Sequence, residues 1–190
     1  MTLTSIRYAN AFALKIPLVK PMLMAGVHIT HAETLIVRLE TNQGMVGWGE
    51  NTAAPTHGGQ TLEQMLQAFT HGMQESLIGC DSQNLSAISK ALSKKFPDGS
   101  GAIAAIDIAL YDLVGKMLGV PAYTLMGGKQ RSTVSPLWLI GTKSVETDVA
   151  EAKKCQAAGY QFFKLKLGVK TVQEDIQSAL EIREALGQNI

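Results

Sequence analysis

Apolar and polar positions along the chain follow two rhythms. Up to about Glu50 the period is two, the spacing that puts alternate side chains on opposite faces of a strand. Residues 5–16 alternate until Pro17 stops them. Residues 33–40 place Leu35, Val37 and Leu39 on one face, and residues 45–50 follow a turn at Thr41-Asn42-Gln43-Gly44. These segments predict a three-stranded antiparallel meander. Residues 17–30, with Pro21, Gly26 and the apolar run Met22-Leu23-Met24, read as a loop. A loop this apolar is expected to pack down on the fold or to cover a ligand. Residues 51–60 read as a second special loop, with Pro55, His57 and Gly58-Gly59.

From Thr61 the period becomes helical. Thr61 caps a predicted helix reaching about Ile78, with Glu63 placed early against the helix dipole. A second helix runs from about Ser82 to Lys95. A third covers residues 100–118, with Ala102, Ala105, Ile106, Ala109, Leu110 and Leu113 marking a packing face of small and branched residues. Gly119 and Pro121 end it, and residues 121–126 form a short helical turn before Gly127-Gly128. After a polar stretch at 129–133 the rhythm alternates between strand and helix. A buried strand is predicted at 134–140, a helix at 145–158, a strand at 160–167 and a helix at 171–186. This is (βα)2, with parallel strands expected. Two such units can neither bury both faces of their strands nor close a barrel of eight.

Composition narrows the function. The 190 residues carry a net charge of +1, with no basic footprint for nucleic acid. No apolar run is long enough to span a bilayer and the N-terminus lacks a signal-peptide pattern. Cys80 and Cys155 stand alone, as expected of reduced thiols in a cytoplasmic protein.

The candidate chemistry lies in Gln161-Phe162-Phe163-Lys164-Leu165-Lys166-Leu167-Gly168. On a strand, Lys164 and Lys166 share one face while Phe163, Leu165 and Leu167 share the other. A solvated sheet face is one reading. The flanking helices favour another, in which both ammonium groups point into an interior. A lysine acts as a general base only when neutral, and partial burial beside a like charge favours that form. Lys20 and Glu50 are candidate substrate contacts, Glu50 standing at the end of the third strand, where it is as easily a loop anchor. His57 is a further contact or an ordinary surface residue. Asp107 and Asp112, on the long helix, read as structural partners or solvent contacts. Glu174, Asp175, Glu181 and Glu184 have solvent-face spacing.

Several phrases in order resemble the enolase superfamily, in its mandelate racemase and muconate lactonizing branch. They are Gly47-Trp48-Gly49-Glu50, Ala105-Ile106-Asp107-Ile108-Ala109-Leu110-Tyr111-Asp112-Leu113 with Gly115-Lys116, Gly119-Val120-Pro121, Leu125-Met126-Gly127-Gly128 and Lys164-Leu165-Lys166-Leu167-Gly168. The last phrase and Ile16-Pro17-Leu18-Val19-Lys20-Pro21 are most similar to the muconate cycloisomerase subgroup, with Lys20 where an arginine is common. The resemblance implies an α+β capping domain over residues 1–128, built on the meander, and the start of a TIM-type barrel over residues 129–190. It implies that residues 17–30 and 51–60 cap the site, that Lys166 is the base, and that Lys164 tunes it and helps hold the carboxylate. It also implies a small carboxylate substrate losing its alpha proton to an enediolate stabilised by Mg2+ or Mn2+.

The family's metal carboxylates sit on later barrel strands, so none is expected in these residues. The chain alone is expected to bind no catalytic metal, to be inactive, and to self-associate through its open strands. The leading expectation is the N-terminal portion of such an isomerase. The alternatives are a natural short non-catalytic binding module and one half of a split enzyme.

Overall fold

The computed structural model describes residues 2–24, 27–141, 144–168 and 170–187; Gly26 of the predicted loop, and the side chains of Leu23, Met24 and His57, lie outside the described residues. Three strands come first: β1 (Ile6–Met24), β2 (Val27–Thr41) and β3 (Val46–Thr52). They form an antiparallel sheet in the order β1-β2-β3. The turn between β2 and β3 closes with Gly44 N–H donating to Thr41 O at 2.9 Å, at a φ of +81° suited to glycine.

The predicted loop at 17–30 is largely a continuation of the hairpin. Pairing resumes at Met22↔Ile29 after a register shift between Pro17 and Met22. Pro17 and Pro21 do not end the strand, because proline is tolerated where β1 runs along the outer edge of the sheet. The second predicted loop is likewise shorter. β3 continues to Thr52, and Pro55–His57 forms a 3-10 turn closed by Gly58.

One face of the sheet is covered by helices. Leu35, Val37 and Leu39 of β2 are fully buried, together with Ile6 and Ala9. α1 (Leu62–Ala68) begins at Thr61, whose hydroxyl accepts from Gln64 N–H while the Gln64 side chain accepts from Thr61 N–H. The single helix predicted to Ile78 is interrupted. A π turn (Phe69–Met73) with non-helical backbone at His71 and Gly72 separates α1 from α2 (Gln74–Leu77). Gly72 has a φ of +129°, which ends the regular turn there. α3 (Leu85–Lys95) starts three residues later than expected. α4 (Ser100–Leu118) has the predicted bounds and is closed by Gly119 in the left-handed region; α5 (Ala122–Leu125) follows.

The Gly-Trp-Gly phrase is explained by how closely β3 lies on α4. A Cβ on Gly47 would overlap Ala109 O, and one on Gly49 would overlap Ala105 O and Ala109 N. Small residues on both elements let the two backbones touch, with Ala105, Ala109 and Leu113 fully buried at the contact. α4 also covers the open edge of β3. Asp112 accepts from Trp48 N–H at 2.8 Å and from Lys116 Nζ, which also donates to Val46 O. Asp107 accepts from Ser89 Oγ, and burial raises its carboxyl above the ordinary range.

The chain divides into two compact units, residues 1–129 and 130–190. The second contains β4 (Leu137–Ile140), α6 (Val145–Ala157), β5 (Phe162–Leu165) and α7 (Val172–Leu186), with β4 and β5 parallel. Both strands are shorter than expected. β4 is not buried throughout: Ile140 is 2% exposed, but Leu137 and Leu139 are 55% and 47% exposed. The helices cover one face of the pair only, where Ile140, Ala152, Ile182 and Leu186 form a small core with Trp138, Phe163 and Leu165.

Candidate functional site

The lysine segment belongs to the uncovered face of the two-stranded sheet. β4 and β5 pair in register, Leu137 with Phe162 and Leu139 with Lys164, so these four side chains share one face. All four are exposed, because α6 and α7 pack on the opposite face. Lys166 lies one residue past the end of β5 and is half-buried; its N–H donates to Ile140 O at 2.8 Å. Phe163 and Leu165 point toward the helices as the alternation predicts. Leu167, expected to join them, is 62% exposed, since the strand has ended and its alternation no longer applies.

The backbone around Lys166 is fastened at every second residue. Gly141, at a φ of +96°, lies against the Lys166 peptide: a Cβ there would stand 2.7 Å from Lys166 O and 2.9 Å from Lys166 N. Gly168 N–H donates to Asp175 Oδ2 at 2.6 Å. Lys170 Nζ donates to Asp148 Oδ2 at 2.7 Å and to Ser178 Oγ at 2.8 Å. Asp148 is 1% exposed and Lys170 is nearly as enclosed, with its side chain 11% exposed. The second oxygen of Asp148 has no hydrogen-bond partner among the described residues.

Asp175 therefore does not lie on a solvent face as its helical spacing suggested; it is 9% exposed, and the neighbouring loop amide draws it inward. Asp148, Lys170 and Ser178 were not singled out from the sequence either. A signal was available in a repeat between the two βα units, Ser144-Val145-Glu146-Thr147-Asp148 and Thr171-Val172-Gln173-Glu174-Asp175. In each, the first residue caps a helix through its hydroxyl and the aspartate four positions on falls in the first turn. Both carboxylates find their partners in the segment that follows β5, Asp175 at the Gly168 amide and Asp148 at the Lys170 ammonium.

The remaining candidates belong to the first unit. Lys20 is exposed, in the part of β1 where the register shifts. Glu50 is not at the end of β3 but within it, opposite Ile36, and accepts from Thr34 Oγ1 at 2.8 Å. His57 closes the 3-10 turn, and its side chain lies outside the described residues. Glu40, the centre of a three-residue charge cluster, is held between Arg7 and Arg38, whose hydrogen bonds keep its carboxyl below the ordinary range. Among the described residues, no three His, Cys, Asp or Glu side chains gather as a metal site. No helix among them is long and apolar enough to cross a membrane.

A meander backed by helices, followed by parallel strands with a lysine pair at the end of the second, defines a capping unit joined to the start of a barrel. Residues 8–127 match the family model described as mandelate racemase / muconate lactonizing enzyme, N-terminal domain. The chain belongs to this family, within the enolase superfamily. It is 30% identical over 190 residues to the N-succinyl-L-Arg/Lys racemase of Bacillus cereus, covering 100% of this chain and 50% of the relative. The crystal structure of that racemase superposes with a TM-score of 0.91 over 98% of this chain. Muconate cycloisomerase 1 of Rhodococcus opacus is 31% identical over 189 residues, covering 98% of this chain and 51% of the relative. A dipeptide epimerase from Enterococcus faecalis, crystallised with Mg and the dipeptide L-Leu-L-Tyr, superposes with a TM-score of 0.89 at 30% identity, covering 98% of this chain and 52% of that one. The chain spans about half the length of the curated relatives it matches.

Proposed function

We propose that residues 1–190 are the N-terminal portion of an isomerase that removes a proton alpha to a carboxylate, with Lys166 as the base. The observation that carries this reading is the position of the lysine pair. Lys164 and Lys166 come at the C-terminal end of a parallel βα strand, where barrel enzymes place their chemistry, in a chain related to racemases, epimerases and cycloisomerases. Neutral Lys166 would accept the alpha proton into its amine lone pair, leaving the electrons of the C–H bond delocalised into the carboxylate. Lys164 presents a second cation to the same region. That cation attracts the substrate carboxylate. Lys20, Glu50 and His57 are the proposed substrate contacts from the capping unit, at residues 1–128; the barrel portion begins at 129.

A divalent cation such as Mg2+ or Mn2+ would stabilise the charge developing on the substrate carboxylate. The described residues supply no cluster that fits one, and its ligands would come from polypeptide other than these residues. Accordingly the 190-residue chain alone is proposed to be inactive, and its exposed β4–β5 face to favour self-association. The test is exchange of a substrate alpha proton into D2O, using dipeptides and N-acylated amino acids. The chain alone should show none. The same chain joined to the polypeptide that completes the barrel should show exchange that Lys166→Ala abolishes. Exchange by the isolated chain, or full exchange by the Lys166→Ala form, would overturn the reading.

A further inference from the structure

The lysine that the proposed function makes the base follows the last residue of β5, where the sheet no longer dictates its direction. Five interactions hold the chain there. Ile140 O receives the Lys166 N–H, and Gly141 packs on the Lys166 peptide. Two residues on, Gly168 is held by Asp175 of α7; two further on, Lys170 is held by Asp148 of α6 and Ser178 of α7. Burying two carboxylates and an ammonium is a poor way to stabilise a fold. Apolar residues of similar volume usually do as well or better, and here one Asp148 oxygen lacks a partner among the described residues. What such groups do supply is direction, because each hydrogen bond accepts only a narrow range of geometry.

We infer that Asp175 and the Asp148–Lys170 pair are positioning residues for Lys166. They fix the course of the peptide leaving β5 and so the place where the Lys166 amine stands. The inference rests on the reading of Lys166 as the base for its functional meaning, but not for its test. Lys164 sits inside the strand, paired with Leu139, and serves as an internal reference for Lys166.

The experiment acylates the lysines of the intact 190-residue chain under limiting reagent and measures the Lys166-to-Lys164 labelling ratio by mass spectrometry. Asp175→Ala and Lys170→Met should each shift that ratio at least about threefold, and Asp175→Asn, which keeps an acceptor oxygen for the Gly168 amide, should restore it. Ile182→Val, which loosens the core of the same unit without touching the segment, should leave the ratio unchanged. Amide exchange at Gly168 should quicken about tenfold in Asp175→Ala while amides in α4 keep their rates. If Asp175→Ala prevents folding, Gly141→Ala presses on the Lys166 peptide from β4 and should shift the same ratio. A ratio that stays constant in these variants, or that moves equally in Ile182→Val, overturns the inference. Failure of Lys166 as the base would show separately, as exchange activity surviving Lys166→Ala in the completed enzyme.

Discussion

Replacing Gly49 by alanine tests the claim that β3 and α4 meet backbone to backbone. Gly49 is paired with Val37 in the sheet, and the added methyl would overlap Ala105 O and Ala109 N. Both are main-chain atoms of a regular helix, so no side chain can rotate away to make room. Overpacking a well-filled contact costs about 1–3 kcal/mol, and the rigidity of the obstacle argues for the upper end. With a urea m-value of roughly 1–3 kcal/mol/M, a loss of about 3 kcal/mol should lower the midpoint by about 1–3 M. The chain has two tryptophans, Trp48 in the first unit and Trp138 in the second. In a Trp138→Phe background, fluorescence therefore reports on the first unit alone.

A second substitution sharpens the test. Ala105→Gly removes a methyl but leaves the obstructing carbonyl, so it should not rescue Gly49→Ala; it should add about 1 kcal/mol of its own through lost helix propensity. Gly44→Ala has nothing within 4 Å of the new methyl and should cost only the strain of a positive φ, about 1–2 kcal/mol. Rescue by Ala105→Gly, or a loss from Gly49→Ala smaller than about 0.5 kcal/mol, would refute the packing argument.

Two further outcomes follow from the charges and caps. Glu40, whose carboxyl is held below its usual value of 4.5 first by Arg7 and then by Arg38, contributes stability that is complete above that value and lost as pH falls through the lowered one. Glu40→Gln should therefore be less stable near neutrality and show a flatter loss of thermal stability on acidification; an unchanged acid limb would contradict it. Thr171→Ala removes a reciprocal cap in which Thr171 and Glu174 satisfy each other's backbone N–H, and should cost about 1 kcal/mol in the second unit, read by Trp138 fluorescence in a Trp48→Phe background.

Much of the fold was legible because the signals were local and periodic. The turn at 41–44, the buried face Leu35-Val37-Leu39, the full extent of α4 and the order of the two βα units all follow from spacing and terminators within one element. The errors fell where a local signal met a tertiary contact. Pro17 and Pro21 look like strand breakers, yet an edge strand has no ladder bond for them to lose on its outer side. The break at His71-Gly72 lies inside a segment whose apolar spacing reads as continuous. At the candidate site, the Lys164–Lys166 pair was visible as a pattern, whereas the fastening of its loop was not.

The sequence by itself determined the elements, their order and the kinship of the chain, because hydrophobic period, caps and small-residue phrases are properties of neighbours along the backbone. Only the tertiary structure decided what the charged residues are for. Asp148 and Asp175 occupy equivalent helical positions that composition alone makes indistinguishable from solvent-facing acids. They become buried anchors because the end of β5 brings the Gly168 amide and the Lys170 ammonium to them from outside their own helices. A charge is placed by its partner, and the partner is chosen by the fold.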